Sequence, residues 1–384
     1  IMTKKGTENM SAQVSMNDLD VRIVKPSNIK SEVNYAFNRK RPVFIWGPPG
    51  VGKSEIVDTI TQERAGMMID LRLALMEPTD LRGIPYYNEK TGQMMWAPPA
   101  DLPTQELADQ FECVVLFLDE MNQAPQSVQA AAYQLILNRR LGSYTLPDNV
   151  LIVAAGNRES DRGVAYRMPS PLANRFVHLE MGVDFNDWQT WALENKIHSD
   201  VVGYLTSNKM DLFNFDPKTA SRAFATPRSW TFASQLMPQE GEVIADSELH
   251  DLIAGTVGDG VATKFMAHRA ISGKLPNPTD ILSGKVKTLS REAKEISAMF
   301  SLTASLCYEL KEFAENNKGK SDKLYDMANN FFKFMMDNFE TEMIVLGGRT
   351  ALKVYKLPLE PRKVPCIEDF FKKYGKLIIE AHNA

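Results

Sequence analysis

"VFIWGPPGVGKS", residues 43–54, decides how the rest of the chain is read. Four consecutive apolar residues describe a short strand covered on both faces. The eight that follow satisfy G-x-x-x-x-G-K-[ST] at every defined position, directly after that strand and opening a helix. Glycines let backbone N–H groups close on phosphate oxygens without Cβ clashes, and a helix beginning near Lys53 turns its positive end toward the same anion. Gly47, Pro48, Pro49, Gly50, Val51, Gly52, Lys53, Ser54 and the following Glu55 are therefore the candidate nucleotide-binding segment. Lys53 is expected at the β- and γ-phosphates, and Ser54 is expected to ligate Mg²⁺.

Four further apolar runs flank this point: 67–71, 114–118, 150–155 and 176–181. Helical patterns at 53–65 and 126–138 lie between them, and strands alternating with helices predict a mainly parallel α/β sheet. "VVLFLDEMNQAP" (114–125) places Asp119 at the carboxyl end of a buried strand, where ligands of open α/β sheets bind. Asp119 can complete the Mg²⁺ shell with Ser54. Glu120, the adjacent carboxylate, can orient or deprotonate an attacking water, which points to hydrolysis rather than transfer to a substrate hydroxyl. Asn157, at the exit of "VLIVAAGN" (150–157), is expected beside the γ-phosphate, opposite Glu120.

Two arginines complete the constellation. Arg175 ends "SPLANR" just before the last strand. In "ATPRSW" (225–230), Thr226 is a helix cap and Pro227 a favoured first residue, so Arg228 falls in the first turn. A cation there opposes the helix dipole by about 0.3–1 kcal/mol, a cost that an anionic ligand facing the helix end would remove. Arg228 thus reads as a γ-phosphate sensor.

Bulk properties bound the class. The chain has 384 residues, 44% hydrophobic and 24% charged, enough for two or three cored domains. No apolar run approaches the ~20 residues that cross a bilayer, no secretory segment is evident, and three distant cysteines do not describe a disulfide scaffold or a zinc knuckle. A reducing cytoplasm is the expected compartment. The net charge of −4 makes no general case for nucleic acid.

The expected organisation is a polar tail over 1–25 and a nucleotide-binding core over 26–184. A helical lid over 185–270 and a helical C-terminal extension over 271–384 follow. The core opens on a helix capped by Ser27 that presents Ile29, Val33 and Phe37. In the extension, Leu324, Met327, Phe331, Phe334, Met335 and Phe339 share one helix face, with Gly347-Gly348 as a stop. Two hairpins interrupt the core. One, near 84–98, pairs "IPYY" with "MMWAPP" around a turn with glycine in the left-handed region. The other spans 139–147. Tyr86, Tyr87, Met94, Met95 and Trp96 would be a costly exposed patch on a monomer, so they are read as contacts to a client or a neighbouring subunit, against packing on their own core.

"GPPGVGKS", "LFLDEMNQAP", "VAAGN", "SPLANRF" and "TPRSW", in this order over about residues 27–270, resemble the AAA+ ATPases, and more narrowly their MoxR-like branch. The resemblance implies a P-loop NTPase αβα sandwich with a five-stranded core sheet, a helical lid, and ATP and Mg²⁺ as cofactors. It also implies a homo-oligomeric ring, commonly hexameric, in which Arg175 is inserted into a neighbour's site; Arg167, in "AYRMPSP", is a second candidate for that contact. Both hairpins would face the ring pore. The function implied is chaperone-like remodelling of protein clients, commonly with a partner bearing a von Willebrand factor A domain. The alternative is a DNA-handling motor or helicase loader, suggested by Arg139-Arg140 and a C-terminal region with 18 Lys/Arg against 15 Asp/Glu from Gly273 onward.

Overall fold

The computed structural model describes residues 22–161, 168–219, 221–239, 241–289, 295–317 and 321–380. It divides into two compact units: Ile1–Pro48 with Lys53–Gly182, and Pro49–Gly52 with Val183–Ala384.

The first unit is built on a parallel sheet. Its strands are β1 (Ile23–Val24), β2 (Val43–Trp46), β3 (Met67–Arg72), β6 (Val114–Asp119), β9 (Val150–Gly156) and β10 (Val177–Met181), in the order β1-β10-β2-β9-β6-β3. Every pairing in it is parallel. All seven residues of β9 are buried, as are the first five of β6, which is why both read as unbroken apolar runs. Helices α1 (Pro26–Phe37), α2 (Lys53–Glu63) and α5 (Gln126–Asn138), with the short α3 (Pro78–Arg82), α4 (Gln105–Ala108) and α6 (Ser170–Ala173), connect the strands. Two small antiparallel ribbons stand apart from this sheet: β4 (Ile84–Asn88) with β5 (Gln93–Ala97), and β7 (Arg140–Leu141) with β8 (Tyr144–Thr145).

Two details differ from expectation. The sheet has six strands rather than five: Ile23 and Val24, assigned to the polar tail, form an edge strand pairing with Glu180 and Met181. Two residues are too few to show a period, so their sheet contribution comes entirely from a partner far along the chain. Helix α1 is preceded by Lys25, with no side-chain cap, and starts at Pro26; Ser27 lies inside its first turn. Proline's fixed φ and missing N–H suit that first position better than a hydroxyl cap one residue later. The expected buried face is present, with Ile29, Val33 and Phe37 all inside.

The second unit is helical: α7 (Phe185–Glu194), α8 (Ser199–Ser207), α9 (Pro227–Gln235), α10 (Asp246–Val257), α11 (Asp259–Ser272), α12 (Pro278–Leu282), α13 (Ile296–Asn316), α14 (Ser321–Asn338), α15 (Thr341–Arg349) and α16 (Pro365–Glu380). One core gathers Tyr204, Trp230 and Phe265; another gathers Phe331, Phe332 and Phe370. Helix α13 serves both, giving Ala304 to the first and Leu302, Leu306 and Leu310 to the second. Gly347 and Gly348 do not stop a helix, as the sequence suggested, but lie within α15. A Cβ on Gly348 would sit 2.0 Å from Phe370 Cζ, and one on Gly347 2.8 Å from Met335 Cε, so these glycines admit neighbouring side chains. Among the described residues, no helix is long and apolar enough to cross a membrane. All three cysteines are free.

Candidate nucleotide-binding site

The loop between β2 and α2 has the backbone its sequence demands. Gly50 and Gly52 adopt φ of +76° and +93°, a region costly for residues with a Cβ. Alternation of handedness in such loops turns successive N–H groups into one concavity. Lys53 and Ser54 open α2, eleven residues long, so its positive end lies at the loop. Lys53 Nζ donates to Gly47 O (2.8 Å), Pro48 O (3.0 Å) and Asn157 Oδ1 (3.1 Å). Strands β2 and β9 are neighbours, and the Gly47 N–H also donates to Gly156 O, which brings Lys53 and Asn157 together. Glu55 is exposed in the first turn of α2, where an acid suits the helix dipole; its backbone carbonyl accepts from Thr59 Oγ1.

Asp119 ends β6, the other neighbour of β9. Its Oδ1 accepts from the N–H of Glu120 at 2.9 Å. Glu120 holds φ 53°, ψ 31°, the left-handed region, before a single 3₁₀ turn at Met121–Gln123. Such a conformation costs a non-glycine residue about 1 kcal/mol and persists only where the surroundings impose it.

Three residues at these strand ends escaped sequence reading. Asp70 lies on β3, two residues before Arg72, which stands opposite Asp119. Its carboxyl is raised above the ordinary aspartate value, chiefly by partial burial and then by the nearby Asp119 charge. Arg158, next to Asn157, binds the buried Asp161 (2.9 Å) and Glu180 (3.2 Å), fixing the exit of β9 to β10. Asn122 Nδ2 donates to Asn157 O at 2.7 Å. Each is a lone polar residue in a loop or exposed strand end, and its significance depends on a strand distant in sequence.

Ser54 opens α2 and Asp119 ends β6, a hydroxyl and a carboxylate of the kind a hard cation takes. That is the sparse oxygen set with which Mg²⁺ is held when phosphates and water fill its remaining positions. No group of three or more His, Cys, Asp or Glu able to hold a metal occurs among the described residues.

The arginines are separately placed. Arg175 is exposed between α6 and β10. Arg167 lies outside the described residues. Thr226 caps α9 in a reciprocal box with Ser229, and Pro227 is the first helical residue, as expected. Arg228 is exposed in that first turn, and its backbone N–H donates to Gly50 O at 3.1 Å.

The hairpins fold as the sequence indicated, with Gly92 (φ +66°) in the first turn and Gly142 (φ +59°) in the second. Gly83 (φ +83°) is obligatory at the base of the first, since a Cβ would fall 1.8 Å from Ala97 O. The two are joined: Ser143 Oγ donates to Trp96 O at 3.0 Å, and Gly142 packs on the Trp96 ring. Trp96 is half-buried beneath Arg82, 4.8 Å away, and Met95 is also half-buried, so neither belongs to the exposed patch. Ile84 (68%), Met94 (63%), Tyr87 (61%) and Tyr86 (43%) are exposed. Tyr144, whose hydroxyl is pushed up to about 12 by burial, anchors the second hairpin to Pro103 O. Arg139 also turns inward, donating to Pro147 O and Val150 O, so the paired arginines are not a joint basic surface.

Residues 42–176 match the family model of the AAA domain, dynein-related subfamily. Sheet order and loop geometry give this segment a P-loop NTPase-like αβα fold, and the match shows its similarity to the AAA domain. A curated relative is Midasin from Giardia intestinalis, 28% identical over 202 residues; the match covers 48% of this chain but only 4% of that protein's length. Among solved structures, a candidate ATPase from Cytophaga hutchinsonii is similar over 91% of this chain and 90% of its own (13% identity, TM-score 0.33). A point mutant of Thermotoga maritima RuvB is similar over 82% of this chain and 89% of its own (16% identity, TM-score 0.36).

Proposed function

We propose that this chain is an ATP-hydrolysing AAA+ ring subunit of the MoxR-like type that remodels or matures protein clients in a chaperone-like way. The observation that carries the reading is the joining of three adjacent strand ends. Lys53 after β2 is bonded to Asn157 after β9, and Asp119 with Glu120 stands at the end of β6. In this reading Gly47–Gly52 wrap the phosphates of ATP with backbone N–H groups, and Lys53 balances the β/γ charge. Ser54 and Asp119 hold Mg²⁺, which neutralises charge developing on the transferred phosphoryl group. Glu120 takes a proton from the attacking water, and Asn157 orients it. Arg228 senses the γ-phosphate from the first turn of α9, the reading under which residues 185–270 act as a lid. Arg175, exposed before β10, is assigned to a neighbouring subunit's site in a hexameric ring, where it stabilises transition-state charge in trans. The exposed Ile84 and Tyr86 on one face of the first hairpin, and Tyr87 and Met94 on the other, offer apolar contacts for the protein client, and a von Willebrand factor A partner is proposed on the family resemblance. With Arg139 turned inward, nothing in the second hairpin favours the DNA-motor alternative.

Steady-state hydrolysis and nucleotide titration of the purified protein test this. Lys53→Ala is expected to abolish binding of Mg-ATP, and Glu120→Gln to keep binding while turnover falls roughly 10²–10⁴-fold. Unchanged ATP affinity in the first, or normal turnover in the second, overturns the assignment. Capture with Glu120→Gln in Mg-ATP should retain protein; salt-sensitive retention of nucleic acid alone would replace the client reading with the DNA one.

A further inference from the structure

We infer that Asn122 is a positioning residue for hydrolysis, holding the Glu120 turn and the Asn157 strand exit in one fixed arrangement. The inference rests on the proposed ATPase activity and assigns a role to a residue outside the phosphate loop and outside the Asp119–Glu120 pair.

Asn122 is 1% exposed, although it sits in a one-turn 3₁₀ segment where an asparagine would ordinarily face water. Its side chain reaches across two strands, Nδ2 donating to Asn157 O at 2.7 Å. Its Oδ1 has no hydrogen-bond partner among the described residues. That oxygen lies against Gly156 so closely that a Cβ there would be 2.2 Å from Oδ1 and 2.8 Å from Cγ. Burying an amide while leaving its carbonyl unpaired costs on the order of 1–3 kcal/mol. A hydrophobic residue would fill the same space without that cost, so the bond to Asn157 must be what the position supplies.

That bond closes a loop of constraints. Glu120 is held left-handed, its N–H on Asp119 Oδ1 and its carbonyl accepting from Gln123 N at 2.9 Å. Asn122 then ties this turn to Asn157 O, while Asn157 Oδ1 accepts from Lys53 Nζ. Without the tie, Glu120 can relax to a commoner backbone region and swing its carboxylate away from Asn157, while the phosphate loop keeps its own bonds to Lys53. Turnover should therefore suffer and nucleotide binding should not, because only the former needs Glu120 and Asn157 in register.

The test is a double-mutant cycle on the full chain, with Mg-ATP hydrolysis and binding of a fluorescent ADP measured side by side. Asn122→Ala is expected to lower kcat roughly 10–100-fold, the usual consequence of losing an orienting partner, with ADP affinity changed less than about threefold. Asn122→Leu, of similar volume and with no donor, should behave alike, which keeps the test open if the alanine variant folds poorly. Gly156→Ala, whose Cβ would meet the amide and also Phe44 Cζ at 2.9 Å, should lower kcat as well. The double variant Asn122→Ala/Gly156→Ala should lose less than the sum of the singles, because the two share the contact at Asn122. If the wild type hydrolyses ATP and Asn122→Ala retains kcat within about twofold, the inference is wrong while the ATPase reading stands. Equal losses of kcat and ADP affinity, or additive losses in the double variant, also overturn it. A wild type that hydrolyses no ATP removes the proposed function and this role with it.

Discussion

The two units bury polar side chains to opposite ends. In the α/β unit, buried or half-buried polar groups collect where parallel strands end: Lys53, Asn122 and Asn157 bond across the exits of β2, β6 and β9, and Arg158 ties the exit of β9 to Glu180 of β10. In the helical unit they lie between helices. His268 of α11 is held between Ser297 (2.8 Å) and Ser301 (3.0 Å) of α13. Asp211 accepts from Tyr204 and Lys264, and its backbone carbonyl from Trp230. The first set gathers at neighbouring strand ends. The second is spread along helix contacts, where His268 and Asp211 are each paired with side chains of another helix or turn. A buried polar group thus signals chemistry when it shares an edge with others, and helix register when it is paired off alone.

That contrast is broken most severely through packing. Helix α8 meets α13 at Gly203, where a Cβ would lie 2.0 Å from Ser301 Oγ and 2.5 Å from Ser301 N. Backbone cannot step aside as a flexible side chain can, so Gly203→Ala should force the two helices apart. The expected loss is about 1–3 kcal/mol of stability, larger than the gain in helix propensity. Gly255→Ala in α10, where nothing lies within 4 Å, is the control: it should be neutral or stabilising by up to about 1 kcal/mol. Thermal or denaturant unfolding reads both. Equal effects at the two sites would mean that the α8–α13 contact does not organise the unit.

A smaller effect separates the units by pH. Burial lowers the His268 pKa below 6.5, although Asp200 and Glu295 pull it the other way. The folded state therefore refuses a proton that the unfolded chain accepts below pH 6.5, so stability is lost as pH falls through that value. His198 shifts in the same direction for the same reason and adds to the trend. His268→Gln should flatten the pH dependence of unfolding below the ordinary histidine value by no more than about 1.4 kcal/mol per pH unit. An unchanged slope would show that His268 takes up its proton in the folded state.

Legibility in the sequence follows the same division. Strands β2, β6 and β9 announce themselves because burial on both faces leaves only apolar residues, and the phosphate loop because each glycine answers a local backbone demand. What stayed hidden depends on distant partners. Ile23 and Val24 become a strand only against β10, Trp96 turns inward because Arg82 and Gly142 meet it, and Asn122 matters because β6 and β9 are neighbours. Gly347-Gly348 looked like punctuation because local rules cannot show that Met335 and Phe370 approach there. The helix dipole argument for Arg228 was available locally; the bond from its N–H to Gly50 was not.

The smallest predicted change probes the edge of the strand-end cluster. Asp70 is not among the residues that bond across β2, β6 and β9, yet its carboxyl is raised, first by partial burial, then by Asp119, with Glu120 adding and Arg72 opposing. A raised carboxylate costs stability wherever it is ionised. The folded state holds its proton to higher pH than the unfolded chain, so stability declines as pH rises from 3.8 through the folded value. Asp70→Asn removes that cost and should stabilise the protein at neutral pH by less than about 1 kcal/mol, solvent screening a partly exposed group. The gain should fade as pH drops below 3.8, where both side chains are neutral. A destabilised Asp70→Asn at neutral pH would instead place Asp70 in a favourable pair with Arg72. The carboxylates at this edge would then be balanced by that arginine, rather than held in mutual repulsion.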